Sequence, residues 1–352
     1  MKIYNFYKIS CLLCLFFTLA ACRHDEVSLT IESEQFRSSV DYIENNYALR
    51  IFSALIKKSG MYEELATRNN LTYLIPTDKA LISQGFTIKE AEEMSQEQAL
   101  KMVKEYLAEG LIPTKAVPNK TIDNKFKNLN DEQLYFASTE GKYYVNGVLM
   151  DKNGKDITLT NGILHVLEGK LNFTSLTLKE YLSQQTKYSL FTAGLKKFGL
   201  WEKLNGEIPY TVFALTNAQM EAAGMNKTFL DEMDAKDYYP HLFSGYVIPN
   251  HFLTQDATVL LMPVYIFMGA DSVYFERNQV ALFDSGDPAY QNAVMTSPSS
   301  IGLLSYKTQR PSPVASEGVV FATNPEHLNI ECLDGVVHEL DKVLTPPEKA
   351  KK

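Results

Sequence analysis

Fifteen residues near the start of the chain, Ile51-Phe-Ser-Ala-Leu-Ile-Lys-Lys-Ser-Gly-Met-Tyr-Glu-Glu-Leu65, return 139 residues later as Leu190-Phe-Thr-Ala-Gly-Leu-Lys-Lys-Phe-Gly-Leu-Trp-Glu-Lys-Leu204. Leu71-Thr-Tyr-Leu-Ile-Pro-Thr-Asp78 returns at the same offset as Tyr210-Thr-Val-Phe-Ala-Leu-Thr-Asn217. Further on, Asn161-Gly-Ile-Leu-His-Val-Leu-Glu168 is echoed by Asp334-Gly-Val-Val-His-Glu-Leu-Asp341, now at an offset of 173. Three related segments in the same order imply two copies of one unit, because each repeat of such a pattern folds by the same local rules. The copies run over 38–174 and 175–347, and the second carries 34 extra residues between its landmarks.

Local chemistry assigns elements within each copy. Ile51, Phe52, Leu55 and Ile56 form one helical stripe, as do Phe191, Leu195 and Phe198. Gly60 and Gly199 follow basic last turns, where a left-handed C-terminal residue belongs. Leu71–Ile75 and Tyr210–Ala214 read as buried strands. Thr77 and Thr216 then stand where a helix begins and a hydroxyl accepts a backbone N–H, with Asp78 and Asn217 as further helix-start groups. A second helix is expected over Ser95–Ala108, and its counterpart around Thr228–Leu242 is limited by Pro240. Asn146-Gly147 marks a tight hairpin turn. In the second copy, Thr258–Met268 is almost continuously apolar and Ser272–Phe275 reads as a strand. Residues 284–315, rich in Ser, Pro, Gly and Asn, read as long surface loops.

The repeated segments resemble the motifs of fasciclin-type (FAS1) adhesion domains. Leu71–Leu81 and Tyr210–Asn217 are similar to the opening motif, with Leu215 where proline is usual. Asn161–Leu171 and Asp334–Leu344 are similar to the closing motif Asn-Gly-Val-Ile-His-x-Ile-Asp-x-Val-Leu. The resemblance implies an α+β fold of two tandem fasciclin-like domains, each a β-sandwich wedge with helices packed alongside. It assigns structural roles to Thr77, Asp78, Asn161, Gly162, His165, Thr216, Asn217, Asp334, Gly335 and His338. The family's central Tyr-His element, linked to adhesion in relatives, is replaced here: Glu109-Gly-Leu-Ile-Pro113 and Gly245-Tyr-Val-Ile-Pro249 occupy its place.

Ahead of the repeat, Lys2 and Lys8 precede an apolar run over Ile9–Ala21. Such a run is short of the about 20 residues a membrane-spanning helix needs, so 1–21 reads as a signal segment. Leu19-Ala-Ala-Cys22 resembles a bacterial lipobox, which makes Cys22 the lipidation point and the membrane a partner through its lipid. Asp25 and Glu26 resemble the export tags of surface lipoproteins of the Bacteroides type, placing the protein on the outer membrane, exposed at the cell surface. Residues 22–37 form an acidic tether and 348–352 a tail. Without Lys2 and Lys8 the formal charge of -8 becomes -10, which argues against nucleic acid as a partner.

Of four cysteines, Cys11 and Cys14 leave with the signal and Cys22 carries lipid, so Cys332 alone remains in the folded part, as an inert strand thiol. His165 and His338 recur at matching positions and read as buried hydrogen-bonding groups, not catalysts. His241 and His251, with Asp237 and Asp256, are the nearest approach to a solvent-facing metal site, but no ligand pattern supports one, and no metal or cofactor is expected. No nucleophile elbow or phosphate loop is present, so no catalytic residue is assigned. Tyr246, Tyr265, Tyr274, Tyr290 and Tyr306 cluster around the second copy's extra residues as a binding surface for sugar faces or a protein. The expected function is a non-enzymatic adhesion or binding lipoprotein recognising an extracellular polysaccharide or protein. The alternatives are an accessory subunit of an outer-membrane nutrient-uptake complex and, more remotely, a hydrolase with a concealed site.

Overall fold

Both sequence offsets reappear as strand register. In the first half, β1 (Leu71–Pro76), β2 (Leu107–Glu109), β3 (Thr121–Lys127), β4 (Gln133–Thr139), β5 (Lys142–Val145), β6 (Val148–Leu149), β7 (Ile157–Thr158) and β8 (Gly162–Leu167) form two sheets. Their orders are β2-β1-β8-β7 and β3-β4-β5-β6. The second half adds β9 (Tyr210–Ala214), β10 (Val247–Pro249), β11 (Pro263–Ile266), β12 (Phe275–Asp284), β13 (Tyr290–Ser297), β14 (Ser300–Lys307), β15 (Ser316–Ala322), β16 (Ile330–Cys332) and β17 (Gly335–Glu339). These are ordered β10-β9-β17-β16 and β11-β12-β13-β14-β15. Leu71 pairs with Gly162 in the parallel β1–β8 ladder, and Tyr210 with Gly335 in β9–β17. The computed structural model describes residues 36–352 apart from 257–258, 260–262, 267–274, 285–289, 298–299 and 308–315.

The central strands are buried along their length, as strands covered on both faces must be. Helices supply that cover. Arg50–Ser59 buries Ile51, Phe52, Leu55 and Ile56 and ends on Gly60 at φ 77°. Ser189–Lys197 buries Phe191 and Leu195, with Gly199 at φ 67° just beyond its end. Buried apolar side chains fall into two main clusters, one drawn from residues 40–171 and one from 178–350. The whole of Arg37–Lys352 nevertheless holds together as a single compact unit. Among the described residues no helix is long and apolar enough to cross a membrane.

Three expectations are corrected. The helix foreseen over Ser95–Ala108 is Gln96–Glu105. Leu107 and Ala108 continue its apolar pattern but pair with Tyr73 and Thr72 in the sheet, so strand pairing overrides helical periodicity. Residues 284–315 are not mainly loop: β13 and β14 lie within them, and Val294, Ile301 and Leu303 belong to the second core. Ile301, Leu303 and Leu304 are buried together in β14, so packing against the second core decides this segment where composition suggested loops. Finally, Leu107 and Val247 occupy equivalent register positions opposite Tyr73 and Val212. Tyr106 therefore corresponds to Tyr246, and Glu109–Pro113 is not the counterpart of Gly245–Pro249.

Candidate functional site

The repeated motif residues form the same frame twice. Thr77 accepts the N–H of Ala80, and Thr216 that of Gln219, so each caps the helix it opens. The next residue reaches sideways. Asp78 accepts the N–H groups of Arg50 and Ile51 at 3.2 and 2.9 Å, and Asn217 that of Leu190 at 3.0 Å. Each closes the open N-terminus of a neighbouring helix, a tertiary role that sequence spacing alone conceals. Asn161 accepts the Ser39 N–H and donates to the Leu65 carbonyl, while Asp334 accepts the Leu178 N–H. The following glycines admit close backbone: a Cβ on Gly162 would lie 2.4 Å from the Leu71 carbonyl oxygen, and on Gly335 2.2 Å from that of Tyr210.

His165 and His338 are both fully buried. Nε2 of His165 lies 2.9 Å from the Ile112 carbonyl oxygen and Nδ1 accepts the Asp156 N–H at 3.2 Å. Nε2 of His338 lies 2.9 Å from the Phe252 carbonyl and Nδ1 accepts the Asn329 N–H at 3.2 Å. An accepting Nδ1 fixes the neutral tautomer that donates from Nε2. Burial lowers both pKa values, that of His338 to about 3. The rings tie loops to the central sheet and present no free nitrogen to a substrate. Asp156 and Asn329, at φ 56° and 49°, complete the device by binding Thr114 and Thr254.

Where the two halves meet, the repeat is broken. His251, next to β10, stacks on Tyr135 of β4 with ring centroids 4.0 Å apart. Its Nε2 is 2.9 Å from Glu331 Oε2 in β16, and both side chains are buried. Asp256 is wholly buried beside them, accepting the N–H of Leu253 and a hydrogen bond from Gln255 Nε2. His251 Nδ1, Glu331 Oε1 and Gln255 Oε1 are buried with no hydrogen-bond partner among the described residues. The chain joining the halves is fastened to the same strand: Glu331 donates its N–H to the Asn172 carbonyl, and Thr174 donates to the Glu331 carbonyl. Val259 packs with Ala137 and Tyr144 across the junction.

Two clefts flank this seam. One, of about 420 Å³, is lined from both halves by Lys101, Glu105, Lys170, Phe173, Tyr181 and Ile330. Burial raises the Glu105 pKa to about 8. The other, of about 320 Å³, is lined by Asn146, Gly147, Glu168, Asn172, Thr254 and Asn329 among others. Sequence reasoning had no signal for either, since their walls come from segments more than a hundred residues apart.

Other expected site residues separate. Tyr246 is corrected from binding surface to core: it is 1% exposed and its hydroxyl accepts the Leu344 N–H at 2.9 Å, as that of Tyr106 accepts the Leu171 N–H. Tyr265, Tyr290 and Tyr306 lie in β11, β13 and β14. Tyr274, Cys22, Asp25 and Glu26 lie outside the described residues. His241 and His251 are buried rather than solvent-facing, and their surroundings differ: His241 stacks on Tyr239, His251 on Tyr135. Among the described residues no group of three or more His, Cys, Asp or Glu is placed to hold a metal ion. Cys332 is partly covered, and burial raises its thiol pKa.

Comparison with known proteins bears on the first copy of this frame. Residues 48–172 match the fasciclin domain family. Among solved structures the chain is similar to a FAS1 domain pair from the insect cell adhesion molecule Fasciclin I. The identity is 13%, over 86% of this chain and 98% of that one, and the TM-score is 0.33. No match was found among curated proteins. Within its first half, then, this chain carries a fasciclin domain.

Proposed function

We propose that the chain is a surface-anchored, non-enzymatic binding lipoprotein whose two fasciclin-like domains, 38–174 and 175–347, recognise an extracellular glycan or protein. The fasciclin match over 48–172 carries this reading. Support for a second domain comes from the sheet order and register repeated in β9, β10, β16 and β17. The Leu19-Ala-Ala-Cys22 motif supports lipidation at Cys22, and Asp25-Glu26 supports export to the outer surface. Recognition falls to the enlarged meander of the second half, where β11, β13 and β14 carry Tyr265, Tyr290 and Tyr306, because tyrosine offers a rigid apolar face with a polar tip.

The test is binding of the full-length chain to a panel of glycans, matrix proteins and cell-envelope fractions. Retention of one class, lost when Tyr265, Tyr290 and Tyr306 are replaced by alanine in a folded variant, is the expected outcome. Absence of retention across a broad panel by folded protein would overturn the reading. Excising 284–315 is unsuitable because Ile301 and Leu303 would leave the second core. Cys22→Ser should release the protein from membranes, while alanine at Asp25 and Glu26 should keep lipidation and reduce exposure to added protease.

A further inference from the structure

We propose that the seam between the two halves is a pH-sensitive latch, closed at mildly acidic pH and loosened as pH rises through neutrality. The first support is where the repeat departs from itself. Strand register makes Leu111 the counterpart of His251 and Thr158 that of Glu331. Leu111 and Thr158 are exposed, whereas His251 and Glu331 are buried under the first half. Thus the ionisable pair stands only in the copy whose face is covered.

The second support is charge. Facing His251 are Glu331, Asp256, Tyr135 and His338, with Asp123 and Lys125 of β3 at the rim. A protonated His251 beside one ionised carboxylate leaves the buried cluster near neutrality. Deprotonating His251 and ionising Asp256 leaves two buried carboxylates without a buried cation, which is strongly unfavourable. Burial alone would lower the His251 pKa, but the Glu331 carboxylate at 2.9 Å, with Asp256 and Asp123 beyond it, holds it above its usual value. Burial raises that of Asp256 to about 8. Both groups bind protons more tightly closed than open, so closure is favoured at low pH and lost as pH rises. Glu331 also holds the joining segment through its own backbone, so the amides there report on whether the seam is closed.

The test is hydrogen exchange of the full-length chain between pH 5.5 and 8, corrected for intrinsic rates. It is followed at peptides containing Thr174 and Glu331, whose amides donate to Glu331 and Asn172 across the junction. Seam opening should rise about tenfold per pH unit for each proton released, while β1 and β9 keep their protection. Asp256→Asn should remove its share of that slope, and His251→Gln should open the seam at pH 5.5 at least tenfold. If either variant proves unfolded by circular dichroism, Glu331→Gln should still flatten the pH dependence. Seam protection independent of pH, an unchanged slope in a folded Asp256→Asn or Glu331→Gln variant, or loss in step with β1 and β9 would each overturn the latch.

Discussion

At the scale of single residues, the two equivalent histidines show how a chemically tempting side chain becomes part of a frame. His338→Leu would leave the Asn329 N–H and the Phe252 carbonyl buried and unpaired, at a cost of about 2–4 kcal/mol for the two groups. A urea midpoint measured at pH 7.5 should fall accordingly, and a shift below about 0.5 kcal/mol would contradict the assigned bonds. The pH dependence has a definite sign. The folded pKa of His338 is depressed to about 3, so its neutral form contributes stability above the unfolded value of about 6.5, lost as pH falls from there towards 3. His338→Gln should therefore lose less stability than the parent between pH 6.5 and 4. An equal acid loss in both proteins would mean that the buried imidazole is not responsible.

At the scale of elements, the frame depends on caps and close approaches that cross between segments. Asp78→Ala removes the acceptor for two open N–H groups at the start of the Arg50–Ser59 helix, which should cost about 1–2 kcal/mol. Asn217→Ala should cost somewhat less, since its amide accepts one such N–H and carries no charge for the helix dipole. Chemical denaturation ranks the two, and a reversed order would count against the dipole contribution. Gly335→Ala places a carbon 2.2 Å from a backbone oxygen. Strands β9 and β17 must then separate, and a loss of about 2–3 kcal/mol or more is expected. By contrast Gly199, which has open space around its Cβ position, meets no such clash, and the cost of Gly199→Ala comes from its positive φ alone. Comparing the midpoints of the two alanine variants tests whether close approach outweighs conformational strain.

At the scale of the whole molecule, two apolar cores share one seam. Because Arg37–Lys352 is one compact unit joined by Tyr135–His251 stacking and by backbone bonds at Glu331, the halves should unfold together at pH 6. Calorimetry should give one transition whose calorimetric and van't Hoff enthalpies agree. Two resolved transitions at that pH would show that the seam contributes little coupling.

What the sequence determined by itself is whatever repeats. Offsets of 139 and 173 residues identify equivalent strands in the two copies, and Gly162 and Gly335 mark the same close contact twice. Thr77 and Thr216 announce helix starts because capping is a matter of neighbouring backbone. Patterns of this kind are local, so they survive without knowledge of the fold. Tertiary structure decided the rest. Tyr246 looks in sequence like any other tyrosine of the second copy, yet it lies in the core, because its place is set by β9 and by the Leu344 amide far along the chain. His251 and Glu331 are 80 residues apart, and Tyr135 belongs to the other half. Nothing local distinguishes them from surface residues. Their charges acquire meaning only when the halves close over them and water is excluded, since burial turns an ordinary ionisable group into one whose proton governs packing.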